Sequence, residues 1–391
     1  MNHNTKRDHI GAFIGDVKDH FATLDWVLVI CVAAASVYGI VLVKSATNYM
    51  ETSRYLIVQS GAIIIGAVLM YVISKADYDH MLKYTRGLFA AAVVLLLMTL
   101  IFGTGMEETG NRSWIRIPVP GGSVGGQPSE IVKVLFILTF SRHLDKVKEN
   151  INNLKNIVLL ILHFAIIFAL VLAQGDLGSA LIFFFIFAAM CFSAGMSLWI
   201  FLGGIFTVVA ASPLLWTLLS ERQQNRILVG FNPALDPTGL GYQPLRSQRA
   251  IGSGGFIGAG FQKGYITQNG MIPEQENDFI FSVAGEEFGF VGAIIVIALL
   301  TLIIVKIFLV AKSARNDVGF LICIGVMAMF IAQTVENIGM ALGLLPVIGV
   351  TLPFFSSGGS SILGSFLAVS LVLSVHSRRN IYYFTREEVP F

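Results

Sequence analysis

Asp278 closes the run Pro273-Glu274-Gln275-Glu276-Asn277-Asp278, where a polar stretch gives way to Phe279-Ile280-Phe281 and a long apolar segment. A carboxylate at such a boundary can take a proton from a hydroxyl if shielding lifts its pKa toward neutrality. The same position would also suit a helix N-cap at the head of the apolar segment. Three other polar groups interrupt apolar sequence. In Gln127-Pro128-Ser129-Glu130-Ile131-Val132-Lys133, Ser129 can cap a helix whose first turn holds Glu130, and Lys133 shares a helical face with that carboxylate. Arg112 and Trp114 stand just upstream in Gly110-Asn111-Arg112-Ser113-Trp114. Gln174-Gly175-Asp176-Leu177-Gly178 joins two apolar runs, so Asp176 should face other loops rather than bulk water, although a tight turn alone would account for it. Finally, Asn337-Ile338-Gly339 and the proline- and glycine-rich stretch 344–361 break a helix at membrane depth. Backbone of that kind is tolerated where it is buried in protein or lines a wet cavity.

The elements that must position these groups are membrane spans. Charged residues are 13% of the 391 positions and hydrophobic ones 55%, against about 25% charged in soluble domains, so the expected fold is an all-α polytopic membrane protein. Apolar runs place about ten transmembrane helices near 25–46, 54–74, 84–103, 129–144, 154–173, 177–195, 197–218, 281–305, 317–344 and 358–376. One long polar loop, 219–280, separates the seventh and eighth, and a chain that keeps its other connections short should place its chemistry there. Lys and Arg collect in the N-terminal tail, the 75–86 turn, the 142–155 connection, the 306–315 turn and the C-terminal tail. Alternation of the spans puts these segments on one side, which should be cytoplasmic, and leaves 219–280 outside. Ile10, Phe13, Ile14, Val17 and Phe21 recur at helical spacing, so residues 1–24 read as a cytoplasmic segment able to lie on the membrane surface. Residues 25–379 form the membrane domain and 380–391 a cytoplasmic tail. No cleavage site follows the first apolar run, so it should be retained.

Several chemistries are excluded. There is no phosphate-loop pattern and no HExxH, and Gly252-Ser253-Gly254-Gly255 does not open a soluble α/β helix as a dinucleotide site requires. The serines have no visible His and Asp partners. Cys31, Cys191 and Cys323 fall inside apolar runs without CxxC spacing and read as buried thiols. The net charge of +2 without a basic tract gives no sign of nucleic-acid binding.

Gln127-Pro128-Ser129-Glu130-x-x-Lys133, Gln174-x-Asp176-Leu177-Gly178, Ala250-Ile251-Gly252-Ser253-Gly254-Gly255, Pro273-Glu274-x-x-x-Asp278-Phe279-Ile280-Phe281 and Gly343-Leu344-Leu345-Pro346-x-x-Gly349 together resemble the SEDS (shape, elongation, division and sporulation) family. The motifs occur in the family's order, from about Asp25 to Arg379. The resemblance implies a bacterial peptidoglycan glycosyltransferase that polymerises lipid II into a growing glycan strand outside the cytoplasmic membrane. It implies a class B penicillin-binding protein (a transpeptidase) as partner. Carried over residue by residue, the catalytic aspartate falls on Asp278. Candidate substrate-binding residues are Arg112, Trp114, Glu130, Lys133, Asp176, Arg226, Arg246 and Glu274. Met271-Ile272-Pro273-Glu274-Gln275 and the ending Ser374-Val375-His376-Ser377-Arg378-Arg379 are more similar to the elongation members than to the division members. Three departures stand out: Glu276-Asn277 where the family has His-Thr, Arg246-Ser247 where it has Gln-Ser, and Gly175 where it has proline. The first adds a carboxylate that should raise the pKa of Asp278.

On this reading Asp278 takes the proton of an acceptor 4-hydroxyl as that oxygen displaces a lipid pyrophosphate from C1 of a donor sugar, with inversion. Arg112, Lys133, Arg226 and Arg246 are the cations able to meet the leaving group. A divalent cation (Mg or Mn) held by a carboxylate such as Asp176 would serve the same end, although no ligand spacing marks a metal site. Two other readings stay open: a flippase or transporter of lipid-linked precursors using Glu130, Lys133 and Asp176 as a charge relay, and a non-catalytic scaffold for a penicillin-binding protein.

Overall fold

The structure is a computed structural model and describes residues 20–105, 111–119, 122–218 and 221–379. Most of the N-terminal segment and the whole tail from 380 lie outside the described residues, as does the side chain of Arg226. Ten long helices coincide with the ten expected spans: α1 (Trp26–Ala46), α2 (Arg54–Lys75), α3 (Thr85–Phe102), α4 (Pro128–Val147), α5 (Leu154–Ala173), α6 (Leu177–Ser193) and α7 (Leu198–Leu218). Two helices of the long loop follow, α8 (Glu221–Phe231) and α9 (Tyr242–Ser253), and then α10 (Ile280–Lys312), α11 (Asp317–Ala341) and α12 (Gly359–Ser377).

Seven of these, α3 together with the short turn before it, are long and apolar enough to cross a bilayer by themselves. The helix α6 is apolar but shorter and α7 is apolar, while α4 carries Glu130, Lys133, Arg142, Asp145 and Lys146. That charge is tolerable because α4 is enclosed: Val132, Phe136, Ile137, Phe140 and Leu144 are buried among neighbouring spans. Burial separates an inner set from an outer one. α11 and α12 are covered along most of their length, whereas α2, α3 and α5 show most of their surface to the surroundings. The helix α12 packs along α2, α10 lies between α1 and α11, and α11 also packs on α6.

The basic segments meet at one end of the bundle. Lys306 pairs with Asp25 at 2.8 Å, Arg315 with Asp79 at 2.7 Å and Arg378 with Asp77 at 3.4 Å, and Lys148 pairs with Asp317. Since α11 runs from Asp317 at this end to Asn337, whose amide bonds the backbone of Asp278, Asp278 stands at the opposite end. The expected turn at 306–315 is shorter than the charge pattern suggested. α10 continues to Lys312, because Lys306 finds its counter-charge on Asp25 and need not leave the helix. One departure from an all-helical chain is the hairpin of β1 (Ile115–Val119) and β2 (Gly122–Gly126), in which Ile115 faces Gly126.

The glycine-rich part of the long loop is fastened to α10 first by backbone. Gly289 lies at φ 63° and ψ −157°, so α10 opens there and is not one continuous helix. The opened groups bond the loop: Ala259 N–H to Glu286 O at 2.9 Å, Gly260 N–H to Glu287 O at 2.9 Å, and Phe290 N–H to Gly255 O at 2.9 Å. Chains this close leave no room for side chains. A Cβ on Gly258, at φ +85°, would stand 2.2 Å from Glu287 O. Gly258→Ala is therefore expected to detach the loop, with a loss of at least about 2 kcal/mol from strain and broken bonds. A melting temperature equal to that of the wild type would contradict this.

Two carboxylates complete the fastening. Glu286 accepts from Ile266 N–H at 2.7 Å, Thr267 N–H at 2.8 Å and Thr267 Oγ1 at 2.6 Å. Glu287 accepts from Ser45 Oγ at 2.5 Å, Gln262 N–H at 3.0 Å and Gln268 Nε2 at 2.8 Å. Both are buried acids whose oxygens are filled by the loop, which is why an apolar segment can carry them.

Candidate active site

The backbone that presents Asp278 is held at the carbonyls of Glu274, Glu276, Asn277 and Asp278. Glu274 adopts φ 56°, and its carbonyl accepts from the N–H groups of Asn277 at 3.1 Å and Asp278 at 3.0 Å, closing a tight turn. Asn277 Nδ2 donates to Glu274 Oε2 at 2.6 Å across the same turn. The three consecutive carbonyls from Glu276 to Asp278 are taken from outside the loop. Ser357 N–H donates to Glu276 O at 2.7 Å, Ser356 Oγ to Asn277 O at 2.6 Å, and Asn337 Nδ2 to Asp278 O at 2.8 Å. The same Asn337 amide reaches Val350 O at 2.7 Å, so the end of α11 ties the Asp278 turn to the 350–357 segment. This gives the broken backbone noticed in the sequence a purpose: its polar groups are satisfied by the turn that carries the acid.

Asp278 is crowded by protein on most sides yet keeps part of its side-chain surface open. Burial pushes its carboxyl up to about 7, and Glu274, Glu276 and Asp176 add to the shift by like-charge repulsion, in that order. The added carboxylate of Glu276 thus acts in the direction expected, but desolvation is the larger cause. Glu276 is itself buried and its pKa is raised, chiefly by desolvation, while Tyr55 bonds the carboxylate. Gly349, at φ +69°, closes the other side, where a Cβ would come within 3.3 Å of Asp278 Oδ2. Asp278 does not cap α10: the helix starts at Ile280 with Phe279 in the cap position.

Asp176 is buried and caps α6, its Oδ1 accepting from Ser179 N–H at 3.0 Å and its Oδ2 from Gln127 Nε2 at 2.6 Å. Glu130 and Lys133 pair at 2.7 Å, both shielded from solvent. Ser129 is not the cap of α4. That place belongs to Gln127, with Pro128 opening the helix, and Ser129 Oγ meets Ser179 Oγ at 3.3 Å instead. Arg112 is exposed, and its N–H donates to Gln174 O at 2.8 Å, which brings it beside the Asp176 turn. Trp114 is half-buried and bonded through its carbonyl to Thr104 N–H at 2.7 Å. Glu274 is exposed at the rim. Arg246 instead lies over the ring of Tyr242, 5.3 Å from its centroid, on its own helix α9. Its neighbour Ser247 fastens α9 to Ser282 Oγ and Ala341 O, both at 2.5 Å. The structure thus gathers Asp278, Glu274 and Asp176 at one end, with Gln127 joining the Asp176 turn to α4. Among the described residues no three His, Cys, Asp or Glu side chains converge to hold a metal ion.

The roles missed from sequence are those of the clamps Asn337, Ser356 and Ser357. The signal existed, since polar residues in apolar surroundings are costly, but their partners lie about 60 to 80 positions away along the chain, as the bonds of Asn337 and Ser356 show.

A ten-helix membrane bundle that carries a shielded, clamped aspartate in its long loop defines the class. The chain belongs to the FtsW/RodA/SpoVE family of cell cycle proteins, whose sequence model matches residues 25–381. It is 34% identical over 367 residues, 90% of this chain and 95% of the relative, to a probable peptidoglycan glycosyltransferase FtsW of Geobacter metallireducens. It is 32% identical over 360 residues, 92% of this chain and 95% of the relative, to the peptidoglycan glycosyltransferase MrdB of Escherichia coli. A chain in a solved peptidoglycan synthase complex, described for its coordination of polymerization and crosslinking, superposes with a TM-score of 0.79 at 30% identity, covering 91% of this chain and 98% of that one. The rod shape determining protein RodA of Thermus thermophilus superposes with a TM-score of 0.68 at 28% identity, covering 91% and 97%.

Proposed function

We propose that this chain is a peptidoglycan glycosyltransferase that polymerises lipid II on the outer face of the bacterial cytoplasmic membrane, with both termini cytoplasmic. The observation that carries the reading is Asp278: desolvated enough to hold a pKa of about 7, partly open, and fixed by three consecutive backbone carbonyls. An aspartate near its ordinary pKa of about 3.9 is a poor base, and one near 7 is matched to a hydroxyl at neutral pH. The acceptor 4-hydroxyl gives its proton to Asp278 while its oxygen bonds C1 of the donor sugar. The C1–oxygen bond to the lipid pyrophosphate breaks, and the leaving group carries off the electron pair with inversion at C1. Arg112, exposed beside the Asp176 turn, is the cation that an entering head group meets first. Lys133, held by Glu130, supplies positive charge deeper in the bundle. No step is routed through a metal.

Support for this reading comes from the names of the relatives and from the family motifs. We place the chain in cell-wall elongation, with a class B penicillin-binding protein as its partner. That role rests on the 271–275 and 374–379 sequences and on the likeness to RodA; restoration of growth to a division-arrested strain but not to an elongation-arrested one would reverse it. The enzymatic reading is tested by purified protein in detergent with labelled lipid II, where glycan strands form only if the chain is a polymerase. A flippase needs a sealed vesicle and would give none.

The pH profile follows from the shift. Since the base works deprotonated, kcat/KM should rise with pH and reach half its maximum near 7. Glu276→Gln removes a minor cause of the shift, so the midpoint should move to lower pH by less than about one unit. A midpoint that moves upward would contradict the placement of these charges.

A further inference from the structure

The span α7 starts at the basic end of the bundle, where Ser197 N–H donates to Asn152 Oδ1 at 2.8 Å. It therefore finishes at the end that holds Asp278. Phe206, Val209 and Leu214 are exposed along it, as side chains of a span in contact with lipid must be. Trp216, exposed in its last turn, is of a type that gathers at the membrane–water boundary. Three residues after α7 ends, α8 begins. Gln224 Nε2 donates to Trp216 O at 2.8 Å, so the side of α8 that carries Gln224 is turned toward the end of α7. Ile227, Leu228 and Phe231 lie three, four and seven positions on, which puts them on that same side. All three are exposed, Phe231 to 65%. Bare apolar side chains that continue a lipid-facing span form the pattern of a helix lying in the headgroup region.

The rest of α8 is seated on the site. Val229 is buried, and a Cβ on Gly230 would stand 2.3 Å from Pro346 Cβ. Pro346 opens a segment packed against every wall of the site. A Cβ on Gly339 of α11 would meet Leu345, and one on Gly178, at the start of α6, would meet Ile348 O. Gly349 borders Asp278 Oδ2. We infer that α8 is an interfacial anchor: its Ile227, Leu228 and Phe231 stripe lies among the lipids of the outer leaflet. Through Gly230 on Pro346, it fixes the height of the 345–350 segment and of the Asp278 site above the membrane. Lipid is the occupant the stripe fits, because it continues the lipid-facing surface of α7. Three side chains also fall far short of the roughly 20 residues a side of a stable protein interface. A substrate whose reacting head group is tethered to a lipid must meet its base at one height. That consequence rests on the proposed function, whereas the contact with lipid does not.

The three native cysteines are buried, so Leu228→Cys, Phe231→Cys and Asn225→Cys can each carry a nitrobenzoxadiazole label alone. In vesicles of phosphatidylethanolamine and phosphatidylglycerol, labels at 228 and 231 should be quenched by lipids doxylated on the acyl chain and shielded from aqueous iodide. The label at 225, an exposed position off the stripe, should show the reverse. Labels at 228 and 231 that iodide reaches and doxyl lipid does not would leave the stripe in water and overturn the inference. Labels shielded from both would put it against protein, with the same result. Gly230→Ala tests the coupling, since its methyl group must push Pro346 away. With lipid II in the same vesicles, kcat should fall about 10-fold while KM and both label patterns stay as in the wild type. A wild-type kcat overturns the link between α8 and the site. If the chain forms no glycan at all, the proposed function fails, and the quenching pattern still decides where α8 lies.

Discussion

Asp278→Asn is expected to give a folded, membrane-inserted protein that polymerises lipid II about 10²- to 10⁴-fold more slowly and is more resistant to unfolding than the wild type. The two effects have one origin. Burial and three neighbouring acids raise the carboxyl from an unfolded value of 3.8 to about 7. A raised acid pKa favours the folded state fully below the unfolded value, and that contribution is lost as pH climbs through 7. Above neutrality the charged side chain is held against its preference, and the neutral amide removes that cost. The gain is on the order of a few kcal/mol above pH 7 and should vanish below about pH 4. A carboxylate with the role proposed for Asp278 is thus expected to be a source of instability, as where function requires a charge out of water. Melting curves across that pH range check the sign: a variant less stable than the wild type at pH 8 would mean that Asp278 is an ordinary structural acid.

Asn337→Ala should have the second-largest effect, now with loss of both stability and rate. The amide donates to Asp278 O at 2.8 Å and Val350 O at 2.7 Å. Alanine leaves both carbonyls without that donor in surroundings with little access to water, at about 1–3 kcal/mol each. The turn is also freed on the side of α11, while Ser356 and Ser357 still hold the two carbonyls before it. Misplacement of the carboxylate by about 1 Å is enough to cost about 100-fold in kcat. Asn337→Asp keeps the size but offers acceptors where donors are needed, so it should be no better than alanine. Unfolding and lipid II turnover measured on both variants decide the matter; an aspartate variant with wild-type rate would show that the clamp is not what places Asp278.

Much of this architecture was legible in the residues. Each expected span met a helix because twenty-residue apolar runs have few other solutions in a bilayer. The Glu130–Lys133 pair was readable because positions three apart on a helix are neighbours. What was not readable depends on distant partners. The opening of α10 at Gly289 is invisible in an apolar run, since it serves the loop: Phe290 N–H and Val291 N–H donate to the carbonyls of Gly255 and Phe256. The sequence rule that puts Ser at a helix start chose Ser129, whereas Pro128 at the first position moved the cap to Gln127. Arg246 had the right charge and loop for a phosphate ligand, but its position on α9 sets it over Tyr242. For Asp278 itself, local sequence offered cap and base alike; the fold removes the cap by starting α10 at Ile280 and surrounds the acid with Glu274, Glu276 and Asp176.

The most direct measurement is strand formation from labelled lipid II by the purified chain and by Asp278→Asn side by side at pH 8, with folding of both checked by melting. The account predicts long glycan strands from the first and none above background from an equally well-folded second. Strands from both at similar rates would contradict it, because the reaction would then proceed without Asp278 to take the proton.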